Sequence, residues 1–141
     1  MKKSILFVLG LMLAFMTSCQ LEGNKESYLY GKWENIDKPG DYKVYENSAV
    51  IPIHEEDSVF KTYKWGHEWD EAERTESQLV HQGNGWYMWK LQGNNLYEVS
   101  MTDRVWEGSL TPVTLTISTL TSDMFIFERH GRTYTFKKVM Q

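Results

Sequence analysis

Ser122 to Val139 reads SDMFIFER, then HG, then RTYTFKKV. Two runs of alternating apolar and polar residues separated by a His-Gly pair predict a β-hairpin with a two-residue turn. That turn makes Phe127 oppose Tyr134 and Phe125 oppose Phe136, so all four rings share one face. Ile126 then opposes Thr135 and Glu128 opposes Thr133 on the other face. A slip of one residue would scatter the rings over both faces, so the pattern specifies its own register. The same register sets Arg129 opposite Arg132 at the turn. Directly opposed like charges are unfavourable unless a carboxylate, an anion or an aromatic ring lies beside them.

Working back along the chain, GWYMWKLQ, GNN and LYEVSM predict a second hairpin, with Gly93 to Asn95 supplying the turn. Tyr87, Trp89 and Leu91 alternate there with Trp86, Met88 and Lys90, so both faces of the strand carry large apolar groups. TPVTLTIST follows with Val113, Leu115 and Ile117 on one face and Thr114, Thr116 and Ser118 on the other, and Pro112 stands near its start, where a missing amide donor is tolerated. Runs near Tyr30, Tyr42, Ala49, Val59, Leu79, Tyr87, Tyr97, Val113, Ile126 and Tyr134 imply about eight to ten strands. The expected fold is all-β, an antiparallel up-and-down barrel, because closure removes exposed edges. Asp70 to Arg74 is the one stretch that suits a helical turn, with Asp70 as its N-cap. HQGNG at His81 to Gly85 is read as another hairpin turn.

The N-terminus has a different texture. Met1-Lys2-Lys3 precedes an apolar run from Ile5 to Met16 and the small pair Thr17-Ser18, which is the layout of a secretory signal peptide. The run is too short for the roughly 20 apolar residues of a membrane-spanning helix. Met16-Thr17-Ser18-Cys19 resembles the bacterial lipobox, which implies that Cys19 is lipidated and becomes the mature N-terminus. The expected organisation is a signal peptide over 1–18, a polar tether over 19–27 and one domain over 28–141. Gln20 lacks the aspartate that marks inner-membrane retention, which points to the outer membrane of a cell envelope. The mature chain would keep 141 − 18 = 123 residues and, without Lys2 and Lys3, a net charge of −4 − 2 = −6. A mildly acidic domain without a basic cluster is a poor partner for nucleic acid. Cys19 is the only cysteine, so neither a disulfide nor a cysteine metal site is expected.

LYGKWEN places Gly31 and Trp33 in the Gly-X-Trp arrangement that opens the lipocalin barrel. Together with YMWKLQGNNLYEVS and TLTISTLTSDMFIFERHGRTYTFKKV, it is similar to the small bacterial lipocalin-like lipoproteins of the calycin type. The resemblance covers about half of the mature chain and leaves Asn47 to His81 without a known motif. It implies that Trp33 closes one end of the barrel beneath an arginine, for which Arg129 and Arg132 are the candidates. Barrels of this size are either filled by side chains or hold one small ligand. Six Trp and eight Tyr give the barrel many rings. Trp65, Trp69, Trp86, Tyr87, Trp89, Trp106, Phe125, Phe127, Tyr134 and Phe136 are therefore candidates either to line a cavity for a small apolar ligand or to fill the interior.

No enzyme signature accompanies this. His54, His67, His81 and His130 are scattered without zincin spacing, and there is no Gly-X-Ser-X-Gly elbow. The expected protein is a lipid-anchored, ligand-binding envelope barrel, neither an enzyme nor a holder of a metal or cofactor. The alternative is an interaction or inhibitor module that uses the outer barrel surface and the acidic Glu68 to Glu76 loop.

Overall fold

A computed structural model describes residues 26–51, 60–82, 85–100 and 112–140. The expected signal peptide, Cys19, the strand near Val59 and Trp106 lie outside the described residues. One helical turn, α1 (Glu26–Leu29), leads into β1 (Gly31–Asn35), β2 (Asp41–Ala49) and β3 (Lys64–Asp70). A second short helix, α2 (Glu76–Gln82), precedes β4 (Trp86–Gln92), β5 (Asn95–Ser100), β6 (Val113–Leu120), β7 (Met124–Arg129) and β8 (Arg132–Lys138).

The strands pair in sequence order, every neighbour antiparallel, and β1 returns to β8, so the expected all-β up-and-down barrel is what forms. The last hairpin has the register its rings demand: Phe127 faces Tyr134, Phe125 faces Phe136 and Arg129 faces Arg132. Its turn residues His130 and Gly131 stand at φ 51° and 76°, the pair of left-handed conformations a type I′ turn requires. In the β4–β5 hairpin, Gln92 pairs with Asn95, so the turn is Gly93-Asn94 alone. A bulge at Ser118 separates the Ile117–Phe127 and Thr119–Ile126 pairs and returns Leu120 to the inner face.

Three expectations between Ala49 and Gly85 need correction. Ala49 is not a strand of its own but the end of β2. Leu79 lies in α2, where Thr75 and Gln78 form a reciprocal capping box: the Gln78 amide donates to Thr75 Oγ1 at 3.3 Å, and the Thr75 amide to Gln78 Oε1 at 2.9 Å. His81 therefore lies in the last turn of a helix and opens no hairpin. Asp70 does cap its turn, accepting from the Ala72 amide at 3.0 Å. KWGHEWD forms β3 with Gly66 and Glu68 toward the interior and Trp65, His67 and Trp69 on the outer wall.

The interior is a single apolar cluster built on Trp33, Tyr45, Trp89, Leu96, Leu115 and Phe125, joined by Tyr87, Phe127 and Phe136. Outside the wall, Val50, Met88 and Val99 make a second cluster beneath Phe60, Tyr63 and Trp65. Gly66 makes room for the inner cluster. A Cβ there would lie 2.7 Å from Tyr87 Cζ and 2.7 Å from the Val44 carbonyl oxygen. Gly66→Ala should therefore cost about 1–3 kcal/mol in urea unfolding, the range of core overpacking. A Cβ at Gly93 meets nothing within 4 Å. Gly93→Ala is expected to carry only the smaller cost of a positive φ.

Candidate functional site

The barrel has two unlike ends. At the first, α1 lies beside the start of β1, and Trp33 is fully buried with its Nε1 donating to the Leu29 carbonyl at 2.8 Å. The cation above Trp33 is Lys138, its Nζ 4.2 Å from the ring centroid, and neither arginine takes that place. Strand geometry explains the correction. Trp33 pairs with Lys138 at the C-terminal end of β8, whereas Arg129 and Arg132 flank the turn at the other end. At about 3.3 Å per residue that is roughly 20 Å away. Lys138 Nζ donates to the carbonyls of Tyr28 (3.0 Å) and Tyr30. Burial lowers its pKa. Gly31 opens the strand at φ 117°, its missing Cβ leaving space for the Lys138 side chain.

The second end, here called the rim, carries the β1–β2, β3–β4 and β7–β8 connections. Below it the interior holds charge. Lys43 is 4 % exposed and faces inward between Trp33 on β1 and Glu68 on β3. Its Nζ donates to Glu98 Oε1 at 2.9 Å and to Glu68 Oε2 at 3.2 Å. Glu98 Oε2 accepts the Tyr45 hydroxyl at 2.5 Å. Tyr87, beside Tyr45 at 5.6 Å between centroids, completes the floor by donating to the Val44 carbonyl. Lys43 Nζ lies 5.1 Å from the Tyr87 centroid and 5.8 Å from that of Phe127.

Burial works against the Lys43 ammonium, but Glu68 and Glu98 outweigh it and lift its pKa from 10.5 to about 12. Lys43 in turn holds the Glu68 carboxyl below its usual value despite partial burial, and Arg129 adds to the effect. Burial, then the Glu98 charge, pushes the Tyr45 hydroxyl well up. Glu98 is buried, whereas Glu68 is half-exposed, its side chain 48 % accessible. One carboxylate anchors the lysine and the other presents to solvent.

The proposed cavity rings divide between the interior and the outer wall. Tyr87, Trp89, Phe125, Phe127 and Phe136 are buried in the interior, and Tyr134 packs against them half-buried. Tyr45 meets Trp89 and Phe125 edge to face at 5.5 and 5.8 Å, so these rings pack on one another. Trp65 and Trp86 are corrections, because both lie on the outer wall. Trp65 joins the Met88–Val99 cluster, and Trp86 meets the His67 ring at 4.8 Å. Trp69 is also outside, stacked on Tyr42 at 5.1 Å. Placement follows from the period of two: once Gly66 and Glu68 face inward, residues 65, 67 and 69 cannot.

Outer-wall packing also accounts for His67. Its Nε2 meets Glu76 Oε1 of α2 at 3.1 Å, while its Nδ1 faces Glu46 Oε1 at 3.7 Å without a hydrogen bond. Lys32 reaches Glu76 at 3.8 Å, and Leu79 is fully buried. The acidic loop is thus largely used internally, since Lys38 also holds Asp70 at 2.8 Å. Among the described residues no group of three or more His, Cys, Asp or Glu side chains could hold a metal ion. No helix among them is long and apolar enough to cross a membrane.

Sequence reasoning missed Lys43 and Glu98, and it read Glu68 only as the start of an acidic loop. Their signal is phase: Lys43 shares parity with Tyr45, and Glu98 with Leu96, so each is a charge on the apolar beat of a strand. Comparison with protein-family models, curated proteins and solved structures gives no match for the chain.

Removing one member of a buried charge network strands the others. Lys43→Met should destabilise the barrel by about 3–5 kcal/mol in denaturant titration. Adding Glu98→Gln should recover part of that, because a neutral amide still accepts from Tyr45. The raised Lys43 pKa fixes the sign at high pH. Its contribution, about 2 kcal/mol for a shift from 10.5 to about 12, is complete below pH 10.5 and is lost as pH rises through 12. The alkaline unfolding limb should flatten in Lys43→Met. Glu68, with its lowered value, acts oppositely, its contribution present above pH 4.5 and lost on acidification.

Proposed function

We propose that the chain is a lipid-anchored cell-envelope binding protein of lipocalin-like build that takes its small ligand at the rim of the barrel. The observation that carries this reading is the buried Lys43 network with its half-exposed Glu68. Burying an ion pair is seldom the most stable way to fill an interior, and similar apolar side chains often serve as well or better. Charge kept beneath the end of a barrel is better accounted for by a ligand with a polar group. The rings below it meet one another, which argues against an apolar molecule seated deep in the lumen.

The anchor rests on Met16 to Cys19, whose order resembles a lipobox. Two or more acyl chains, at about 0.8 kcal/mol per buried CH₂, hold a membrane stably where one chain does not. The Gln20 reading favours the outer membrane. Cys19→Ser should leave the protein unprocessed or release it from the membrane fraction; full retention would remove the anchor from this reading.

A second reading, an interaction or inhibitor module, is favoured by the ring-filled interior, since such a barrel does not need a ligand. Its acidic loop offers chiefly Glu71 and Glu73, which are exposed. Native mass spectrometry of the full chain purified from its cells separates the two. One small molecule bound per chain, its retention altered about tenfold by Glu68→Gln, is the expected result. An empty chain whose tryptophan emission is unmoved by fatty acids, sterols and oligosaccharides would leave only the module.

A further inference from the structure

Two like-charged pairs of opposite sign stand on the inner face of the rim. On one wall Arg129 directly opposes Arg132 across the β7–β8 hairpin. On the other, Asp41 directly opposes Asp70 across β2 and β3. Both pairs are in phase with inward residues: the arginines with Phe127 and Tyr134, the aspartates with Lys43 and Glu68. Like charges set opposite one another on neighbouring strands repel, so each wall tends to recruit a counter-charge.

The acidic wall already has its own. Lys38 binds Asp70 at 2.8 Å, and Asn35 Nδ2 donates to Asp41 Oδ2 at 3.2 Å. Among the described residues no carboxylate lies within ion-pair distance of Arg129 or Arg132, and Arg129 acts on Glu68 only through space. Arg132 is exposed, and Arg129 is half-buried. The type I′ turn permits no relief by slippage, because the register that opposes the arginines also sets Phe127 against Tyr134, stacked at 5.3 Å.

We propose that Arg129 and Arg132 form the recognition site for a compact anionic group, a carboxylate or a phosphate carried by a small molecule. This deepens the rim-binding reading and rests on it. Two guanidinium forks on adjacent strands suit a planar carboxylate or a phosphate, each offering several oxygens to paired N–H donors. The half-buried Tyr134 ring, backed by the buried Phe127 on which it stacks, lies next to the arginines along β8 and gives the ligand an apolar shoulder. Glu68, Asp41 and Asp70 on the facing wall repel extended polyanions, so the site selects one anionic group rather than a chain of them.

The test is a titration of the full chain with inorganic phosphate and with acetate, followed through the arginine side-chain Nε–H signals. Saturable shifts at Arg129 and Arg132 are expected, with affinity at least about tenfold lower in Arg132→Gln and in Arg129→Gln, the loss of a charge-assisted hydrogen bond. Both positions flank an exposed turn, so these variants should fold. Lys137→Gln, which alters an exposed cation on the outer face of β8, should change nothing. Glu68→Gln should tighten binding by removing a competing carboxylate, and tripolyphosphate should bind no better than phosphate.

Equal shifts at all surface cations, or unchanged affinity in Arg132→Gln, would overturn the assignment. A bound molecule without an anionic group, found by native mass spectrometry alongside unmoved arginines, would keep the rim as the site and sink only its anion chemistry. An empty chain with unmoved arginines would sink both.

Discussion

Lys138 over Trp33 is the contact on which the rest of the barrel depends. It sits at the seam where the last strand meets the first, and the two residues are themselves a register pair. A cation over a buried indole contributes about 0.5 to 2 kcal/mol. Position matters more than this magnitude, because the same ammonium is bound to the carbonyls of Tyr28 and Tyr30 and so fastens α1 beneath the barrel. An arginine would offer a planar fork; lysine offers a compact charge with three donors, which suits two carbonyls and a ring face approached from one side. Closing the seam removes both sheet edges at once. It also commits every second residue of eight strands to one shared interior.

That commitment divides the interior by depth. Toward the α1 end the inward positions are Trp33, Trp89, Leu96 and Phe125, whose apolar atoms supply the driving force. Toward the rim the inward positions become Lys43, Glu68, Glu98 and the arginines. The transition is Tyr45, whose ring packs on Trp89 and Phe125 while its hydroxyl reaches Glu98. One amphipathic side chain thereby joins an apolar core to an ionic layer without leaving a buried donor unpaired.

How much of this the sequence discloses depends on which face carries the apolar residues. The β7–β8 hairpin is legible because its turn, its rings and its register all agree. β6 is legible for the same reason, with threonines outward and aliphatics inward. β3 is illegible because its phase is inverted: KWGHEWD turns Trp65, His67 and Trp69 outward and Gly66 and Glu68 inward. No rule of apolar-in and polar-out finds such a strand, since its outer face is covered by α2 and residues 60–63. The capping box at Thr75 to Gln78 is present in the sequence, but it opens only seven residues of helix, too few for an apolar period to show. Lys138 escaped notice because the lipocalin resemblance asks for an arginine, and the two arginines of the last hairpin stand at its far end. The ionic layer was visible only as charges on the apolar beat, a signal without meaning until β2, β3 and β5 are known to converge.

The covering of β3 also explains why the rim is asymmetric. On the β2–β4 side the wall has apolar packing on both faces, with His67 held among Trp69, Trp86, Glu46 and Glu76. On the β6–β8 side the outer face is bare strand, with Thr114, Thr116, Glu128 and Thr133 exposed. The double-packed wall carries the carboxylates, most already bound to Lys38 or Lys43. The single-packed wall carries the arginines, whose opposition is set by a two-residue turn rather than by neighbouring charges. Fixing the first wall through packing and the second through turn geometry keeps the two signs apart, because neither wall can shift toward the other without breaking its own register. Separation of that kind leaves the guanidinium groups without an ion-pair partner among the described residues.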